Sequence, residues 1–321
     1  MPKTARIELR PRQVAVKVRQ KTPSGMLPEG VFVWKWGKAM NRIGLIGAGV
    51  VGSALADWLA KQGFQISAVS SRNQRKAEQL AGRLDAEAMP WQQVASACEL
   101  LFIATADDAI AKVCANVASY GFGGCQAVFH LSGALGSEIL APAAQAGLGV
   151  ASIHPLGSFA ELEQARELLP HCWFTIEGNS KGIVWAERVL RQLGARFRQL
   201  EREKKPRYHL AAVFASNYLL SLLSVAAELW QELGLKPEEG LWQLADGTIA
   251  NARKYGIGSS LTGPIKRGDL ETVALHMAQL KDKPCVLRLY RQLGLQALKL
   301  SGLGAERKRS LATLLGKEDF K

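Results

Sequence analysis

Short apolar runs of strand length alternate with segments of helical spacing from residue 42 to about residue 201. Such alternation is typical of a mostly parallel sheet that is covered by helices on both faces. Residues 40–203 are therefore predicted to form a doubly wound α/β domain. The predicted strands are 42–47, 64–71, 99–105, 127–132, 150–155, 172–177 and 195–200, and the predicted helices are 49–62, 73–83, 107–120, 136–146 and 182–193.

The strand signal ends at a charged break, residues 201–207, and only helical periodicity follows. Residues 204–321 are therefore predicted to form an all-α domain. The apolar run 210–227 includes several polar residues and is shorter than the roughly 20 apolar residues of a membrane span, so we predict a buried helix there. The predicted helices are 206–233, 237–254, 269–280, 284–300 and 305–315, with a Gly-rich loop at 255–268.

The first 39 residues lie outside both predicted domains. They hold nine basic and two acidic residues, and so contribute +7 of the net charge of +13. A basic tail can bind nucleic acid or an anionic membrane. However, prolines interrupt this one, and Met40 stands just before the first strand, as a start residue would. We expect a poorly ordered extension or an upstream start site, with no nucleic acid or membrane partner.

The five cysteines are scattered and form no CxxC pair, which predicts neither a zinc centre nor any other metal site. Isolated cysteines are usually small buried apolar residues. No apolar segment of the signal-peptide type follows the basic N-terminus. These features fit a reducing compartment, and we expect a cytoplasmic protein.

A glycine-rich turn closes the first predicted strand and opens the first predicted helix. Gly47 permits the tight turn, Gly49 lets a pyrophosphate approach the backbone, and Gly52 permits close packing of helix on strand. The helix N-terminus adds free N–H groups and a partial positive charge. This context predicts a Rossmann domain that binds a dinucleotide. The predicted binding residues of the turn are Gly47, Ala48, Gly49, Val50, Val51 and Gly52.

The end of the second predicted strand distinguishes NADP(H) from NAD(H). An NAD site usually places a carboxylate there to bind the ribose 2′-hydroxyl. This chain has Ser70, Ser71 and Arg72 instead, and a guanidinium can bind a 2′-phosphate with two hydrogen bonds. We predict NADP(H), and the alternative is that these are solvated residues at a helix start.

Further polar residues follow the strands at the edge where ligands of such sheets bind. We assign one group to the cofactor: Thr105, Ala106, Asp107 and Ser132. Two histidines also end strands, and a histidine can exchange a proton near neutral pH. We predict that His154 is catalytic and that His130 binds substrate, with a structural role as the alternative for each.

The helical domain supplies a second set of candidates. His209 and Asn217 are polar residues on an apolar helix, and their spacing puts them near one face. We predict that both are catalytic, although Asn217 could instead bond to another helix. In the Gly-rich loop, Thr262, Lys266 and Arg267 are predicted to bind an anionic substrate, and Arg267 could instead pair with a nearby carboxylate.

These stretches together resemble a family that pairs a Rossmann-like N-terminal domain with domain of unknown function 2520. The resemblance covers residues 42–290 in the stretches IGLIGAGVVGSALA, FIATADDAI, HLSGALGSEIL, SIHPLGSF, HLAAVFASNYLLSL and LTGPIKRGD. More distantly, the chain is similar to pyrroline-5-carboxylate reductases, 6-phosphogluconate and β-hydroxyacid dehydrogenases, and prephenate dehydrogenases. The resemblance implies an NADP-dependent oxidoreductase that forms a homodimer through its helical domain.

One departure from the hydroxyacid dehydrogenases affects the chemistry. Those enzymes carry a lysine four residues before the asparagine of the long helix, whereas Val213 stands there in this chain. The leading hypothesis is NADP(H)-dependent oxidation or reduction of a small, anionic C=O or C=N compound. The alternatives are a non-catalytic NADP(H)-binding sensor or interaction protein, and chemistry with a deazaflavin as second cofactor.

Overall fold

The computed structural model describes residues 42–316 of the chain. The predicted basic extension, residues 1–39, lies outside the described residues. The contacts group the described residues into two compact units that meet between Ala212 and Val213. The first unit contains the strands and the second is helical, as the sequence pattern predicts.

The first unit is built on one eight-stranded sheet with the order β3-β2-β1-β4-β5-β6-β7-β8. The strands are β1 Arg42–Ile46, β2 Gln65–Ser70, β3 Glu87–Ala88, β4 Leu100–Ile103, β5 Ala127–His130, β6 Gly149–Leu156, β7 Trp173–Gly178 and β8 Arg196–Gln199. The helices up to the end of this unit are α1 Val50–Lys61, α2 Gln74–Leu84, α3 Trp91–Val94, α4 Asp107–Tyr120, α5 Ala141–Gln145, α6 Leu162–Leu168, α7 Ser180–Gln192 and α8 Lys205–Ala215.

Six of the seven strand pairs in the sheet are parallel, and the exception is β6 with β7, which are antiparallel. The predicted doubly wound, mostly parallel α/β domain is therefore confirmed. The short strand β3 and the helices α3 and α6 are additions that the hydrophobic pattern did not predict.

Two hydrophobic clusters cover the two faces of the sheet. Because side chains alternate along a strand, Phe102 and Phe129 point to one face, while Leu101 and Val128 point to the other. Helices α1, α2, α6 and α7 pack on the first face, and α3, α4 and α5 pack on the second. The carboxyl ends of the parallel strands lie at one edge of this core, where a ligand of such a sheet binds.

The second unit has its own small core. The helices are α9 Asn217–Glu232, α10 Leu241–Tyr255, α11 Gly263–Arg267, α12 Leu270–Gln279, α13 Pro284–Leu300 and α14 Ala305–Leu314. Buried side chains from α11 to α14, such as Val273, Leu298 and Leu311, pack together. The all-α prediction is confirmed, although the predicted Gly-rich loop contains the one-turn helix α11.

The predicted long helix 206–233 differs from the structure in two ways. It is interrupted at Ser216, whose backbone angles (φ −125°, ψ −74°) are not helical, so α8 and α9 are separate helices. The prediction of a buried helix at 210–227 is wrong, because α9 has no buried residue. The reason is that few helices of this unit cover its apolar side chains. The stretch Arg202–Glu232 contains an 18-residue window with a mean hydropathy of 1.8, and by length and composition alone it could span a membrane.

All five cysteines lie in the described part of the chain, and each carries a free thiol. Cys98, Cys114 and Cys125 are buried, as expected of small apolar residues. Cys172 is half-buried and Cys285 is exposed, so burial does not extend to all five.

Candidate functional site

The glycine-rich turn has the geometry that the sequence predicts. Gly47 has a φ of +119°, which favours glycine, and a Cβ there would lie 2.4 Å from the carbonyl oxygen of Ala104. A Cβ on Gly52 would lie 2.3 Å from the carbonyl oxygen of Gly47, so only glycine lets α1 approach β1 this closely. A Cβ on Gly49 would instead enter open space. The turn is therefore closely packed at Gly47 and Gly52, whereas its backbone at Gly49, where a ligand would lie, is open.

Two adjoining cavities extend along the carboxyl edge of the sheet from this turn. The larger has a volume of about 600 Å³ and reaches the end of β2, and the smaller has a volume of about 360 Å³ and reaches His154 on β6. Gly49, Thr105 and Ala106 line both cavities. The larger is also lined by Gly47, Ala48, Ser70, Ser71 and Arg72, and the smaller by Val50, Val51, Gly52, Asp107 and Ser132.

The end of the larger cavity is basic and partly aromatic. Arg72 and Lys76 line it, and both side chains are exposed to solvent. Asn73 caps α2 by accepting a hydrogen bond from the backbone N–H of Lys76 at 3.1 Å, which fixes this corner of the cavity. Trp91 and Asn116 line the same cavity and were not predicted. Their sequence context offered no signal, because neither stands beside a motif.

The cavities fit a dinucleotide in two respects. The open space beside Gly49 meets the first turn of α1, whose N–H groups have no acceptor within the helix. In addition, the hydroxyl of Thr105, where the two cavities join, is buried without a hydrogen-bond partner among the residues that the structure describes. A buried polar atom left unpaired costs free energy, and a ligand in the cavity would supply the missing partner.

His130 is held away from both cavities. Its side chain is fully buried, its Nδ1 accepts a hydrogen bond from the backbone N–H of Ser132 at 3.2 Å, and its Nε2 lies 3.1 Å from the carbonyl oxygen of Gly136. Burial, together with the positive charge of Lys205, lowers the pKa of His130 to about 3. Both ring nitrogens bind backbone, so neither is available to substrate in this conformation, contrary to the predicted substrate role.

Ser132 organises the loop that follows β5. Its hydroxyl donates a hydrogen bond to Asp107 at 2.7 Å and accepts bonds from the backbone N–H groups of Ala134 and Leu135. This loop therefore holds its shape beside the smaller cavity, with Asp107 fixed at the start of α4.

His154 lies in the wall of the smaller cavity and contacts α8. Its Nδ1 is 2.8 Å from the hydroxyl of Tyr208, and the two rings meet edge to face. A Cβ on Gly133 would lie 2.6 Å from Nε2 of His154 and 2.9 Å from Cδ2 of His209, so the two imidazoles flank this glycine. Burial, the positive charge of Lys205 and the nearby His209 lower the pKa of His154 to about 4.

Lys205, at the start of α8, is the main residue that sequence reasoning missed. Its side chain is almost completely buried, and its ammonium donates a hydrogen bond to the hydroxyl of Ser152. Burial lowers its pKa to about 8, although Glu177, Glu138 and Asp107 favour its charged form. Lys205 stands in a charged run that indicated a solvated break, but its spacing of three and four residues from Tyr208 and His209 puts all three on one helix face.

The other predicted residues belong to the second unit. Asn217 begins α9, is exposed, and accepts a hydrogen bond from the hydroxyl of Ser216 at 2.9 Å. Thr262 precedes α11, while Lys266 and Arg267 end it. Arg267 lies 3.9 Å from Asp269, the pairing that the sequence left open as the alternative.

Comparison with known families agrees with this architecture. A family model described as "Rossmann-like domain" matches residues 35–155, and one described as "Domain of unknown function (DUF2520)" matches residues 172–297. The chain therefore combines a Rossmann-like domain with a DUF2520 domain, in the order that the sequence motifs indicate. No curated protein matches the chain.

Solved structures share the fold. A candidate NADP oxidoreductase, BF3122 from Bacteroides fragilis, is 25% identical with a TM-score of 0.67, over 81% of this chain and 98% of that one. Protein TM1727 from Thermotoga maritima is 28% identical with a TM-score of 0.65, over the same shares of the two chains. A reductive aminase from Aspergillus terreus, in complex with NADPH and ethyl-5-oxohexanoate, is 18% identical with a TM-score of 0.57, over 86% of this chain and 93% of that one.

Proposed function

We propose that this chain is an NADP(H)-dependent oxidoreductase that acts on a small C=O or C=N compound. The observation that carries the proposal is the continuous cavity edge. It joins a basic corner at Arg72, an open helix N-terminus at Gly49 and the half-buried His154. The likeness to the candidate NADP oxidoreductase of Bacteroides fragilis, at 25% identity over most of both chains, supports the same activity.

Each part of the edge has a chemical task in this proposal. The N-terminus of α1 binds the pyrophosphate, and Arg72 with Lys76 binds the 2′-phosphate. The bound cofactor supplies or accepts the hydride, and the chain positions the reacting groups. His154 binds the oxygen or nitrogen of the reacting group, which must exchange a proton when the carbon exchanges the hydride.

Arg72→Ala is expected to weaken NADPH binding about 10- to 100-fold, since a charge-assisted hydrogen bond contributes about 1.5–3 kcal/mol. NADH binding should stay unchanged because NADH has no 2′-phosphate. Calorimetric titration with each nucleotide measures both effects. Arg75→Ala is the matched control, because Arg75 is an exposed arginine three residues later, in the first turn of α2, that does not line the cavity. Equal weakening of both nucleotides, or of neither, would contradict the assignment of Arg72.

A non-catalytic NADP(H)-binding sensor is the second candidate. Its support is Val213, which occupies the position where the similar hydroxyacid dehydrogenases have a lysine. The group of the buried Lys205 and the half-buried His154 and Tyr208 favours the enzyme instead, because ionisable groups with perturbed pKa values beside a cavity are typical of active sites. Oxidation of NADPH in a screen of oxo and imino compounds would separate the two.

We further propose that the chain forms a homodimer through its helical unit. Exposed apolar side chains follow one another along α9 and α10, among them Leu220, Leu229 and Leu244. Large exposed apolar patches mark interfaces, and a second copy of the same unit would cover this one. In this proposal the protein is cytoplasmic, as the sequence predicts, and the apolar side chains of α9 contact the second copy of the chain rather than lipid.

Sedimentation at micromolar concentration is expected to give the mass of a dimer. A double substitution, Leu220→Asp with Leu244→Asp, should shift the protein to monomer because it introduces charges into the proposed interface. Val184→Asp is the control, since Val184 is an equally exposed apolar residue on α7, in the first unit. A monomeric wild type would exclude the homodimer, and partition onto lipid vesicles would favour a membrane instead.

A further inference from the structure

A buried lysine lies beside the histidines of the first unit. Lys205 has only 2% of its side chain exposed, yet it carries an ammonium group in a region where an isolated charge is costly. Its nitrogen binds the hydroxyl of Ser152, and no carboxylate forms an ion pair with it among the described residues. A buried ammonium of this kind costs stability, which points to a functional role. The fold places Lys205 against β6, the strand that carries His154 in the wall of the smaller cavity.

Two parallel contacts connect α8 to β6. Lys205 binds Ser152, and three residues later on the same helix face Tyr208 binds His154, which stands two residues after Ser152 on the same strand. The hydroxyl of Ser152 also donates to the carbonyl oxygen of Ser132 at 3.0 Å. Lys205 therefore connects the start of α8, the strand that carries His154, and the loop that lines the smaller cavity.

We propose that Lys205 is a positioning residue for His154: its hydrogen bond to Ser152 anchors α8 on the strand that carries the imidazole, and its ammonium disfavours a second positive charge there. The catalytic role of His154 in this inference rests on the proposed function. The effect of Lys205 on the charge of His154 does not. An uncharged imidazole can donate a hydrogen bond from one nitrogen while it accepts one at the other. With Tyr208 donating to Nδ1, the Nε2–H of His154 is the donor that would polarise a C=O or C=N group.

The sign of the effect follows from the charges around the ring. The ionisable groups around this cluster are His130 on β5, Glu177 on β7, Glu138 and Asp107 at the strand ends, and Arg202, Tyr208 and His209 next to Lys205. The three carboxylates favour charge on Lys205, whereas Lys205 disfavours a second positive charge on His154. Removal of the ammonium should therefore raise the pKa of His154, although burial still keeps it below the ordinary value of 6.5.

The test is an NMR titration of His154 in the protein without cofactor, so that its result does not depend on NADPH binding. Lys205→Met is expected to raise the midpoint of His154 by about one pH unit. Ser152→Ala, which keeps the ammonium and removes its hydrogen-bond partner, should change the midpoint much less. Lys204→Met is the matched control on the exposed neighbouring lysine and should change nothing.

The wild type alone also tests the proposal if Lys205→Met does not fold. Its His154 signal should report an uncharged ring down to pH 5.5 and a second, smaller step near pH 8, where Lys205 loses its proton. A wild-type ring that titrates at 6.5 would overturn the proposal, and so would a folded Lys205→Met variant with an unchanged midpoint.

In an active preparation, the pH profile adds a readout that a structural role would not affect. The kcat of the wild type should be level from pH 7.5 down to about pH 5, whereas the kcat of Lys205→Met should already decline below about pH 5.5, as its imidazole gains a proton. Identical profiles would contradict the role of Lys205 while leaving the oxidoreductase activity in place.

Discussion

Replacement of His154 by glutamine is expected to lower kcat about 100- to 10,000-fold, the usual contribution of a positioned acid–base or polarising side chain. The reason is that His154 is the ionisable side chain that reaches the smaller cavity from β6, with Tyr208 behind it at 2.8 Å. Affinity for NADPH should change little, because the glycine turn and the Arg72 corner remain intact. The measurement is NADPH oxidation with a compound found active in the screen.

The control for His154→Gln is His171→Gln, the same chemical change on an exposed histidine outside the cavities. Tyr208→Phe should have an intermediate effect, about 10-fold, because it removes the partner of Nδ1 and leaves the imidazole. If His154→Gln retained full kcat with normal NADPH affinity, the assignment of His154 as the residue that binds and polarises the reacting group would fail.

Gly49→Ala is expected to weaken NADPH binding about 10- to 100-fold without loss of stability. The added methyl group meets no atom of residues 42–316 within 4 Å beyond its chain neighbours, and it enters the space where the pyrophosphate would lie. The backbone of Gly49 (φ −80°, ψ −176°) is extended and accepts alanine without strain. An overpacked contact costs about 1–3 kcal/mol, which sets the size of the affinity loss.

Two other glycines separate ligand effects from folding effects. Gly52→Ala should lower the free energy of unfolding by about 1–3 kcal/mol, since its methyl group would lie 2.3 Å from the carbonyl oxygen of Gly47. Gly82→Ala, at an open position within α2, should leave binding unchanged and stabilise the protein slightly. Thermal unfolding and calorimetry on the three variants measure both properties. Unchanged NADPH affinity in a folded Gly49→Ala variant would contradict the predicted pyrophosphate position.

The sequence places the residues of the two cavities at one edge of the sheet because the requirements of the glycine-rich turn are local. The steric requirements of Gly47, Gly49 and Gly52 determine the conformation of a turn between a strand and a helix. The residues after β2 then lie at a fixed place beside this turn. All thirteen predicted cofactor residues line one of the two cavities for this reason. The position of His154 follows in the same way, from its place at the end of a parallel strand.

Features that depend on tertiary contacts were not predictable. The side chain of Lys205 stands in a charged run, and only its packing against β6 shows that it is buried. The direction of β7 has no signature in its own residues, and the break at Ser216 has neither proline nor glycine to mark it. The role of His130 also depends on the conformation of the loop that follows β5, because two backbone groups of that loop satisfy its ring nitrogens.

The central claim is that the edge of the first unit holds NADP(H) with its reactive ring beside His154. The most direct measurement is a crystal structure of the protein with bound NADP⁺. The account predicts the pyrophosphate at the N-terminus of α1 beside Gly49, the 2′-phosphate on Arg72, and the nicotinamide in the smaller cavity that His154 lines. A nucleotide bound elsewhere, or a nicotinamide directed away from His154, would contradict it.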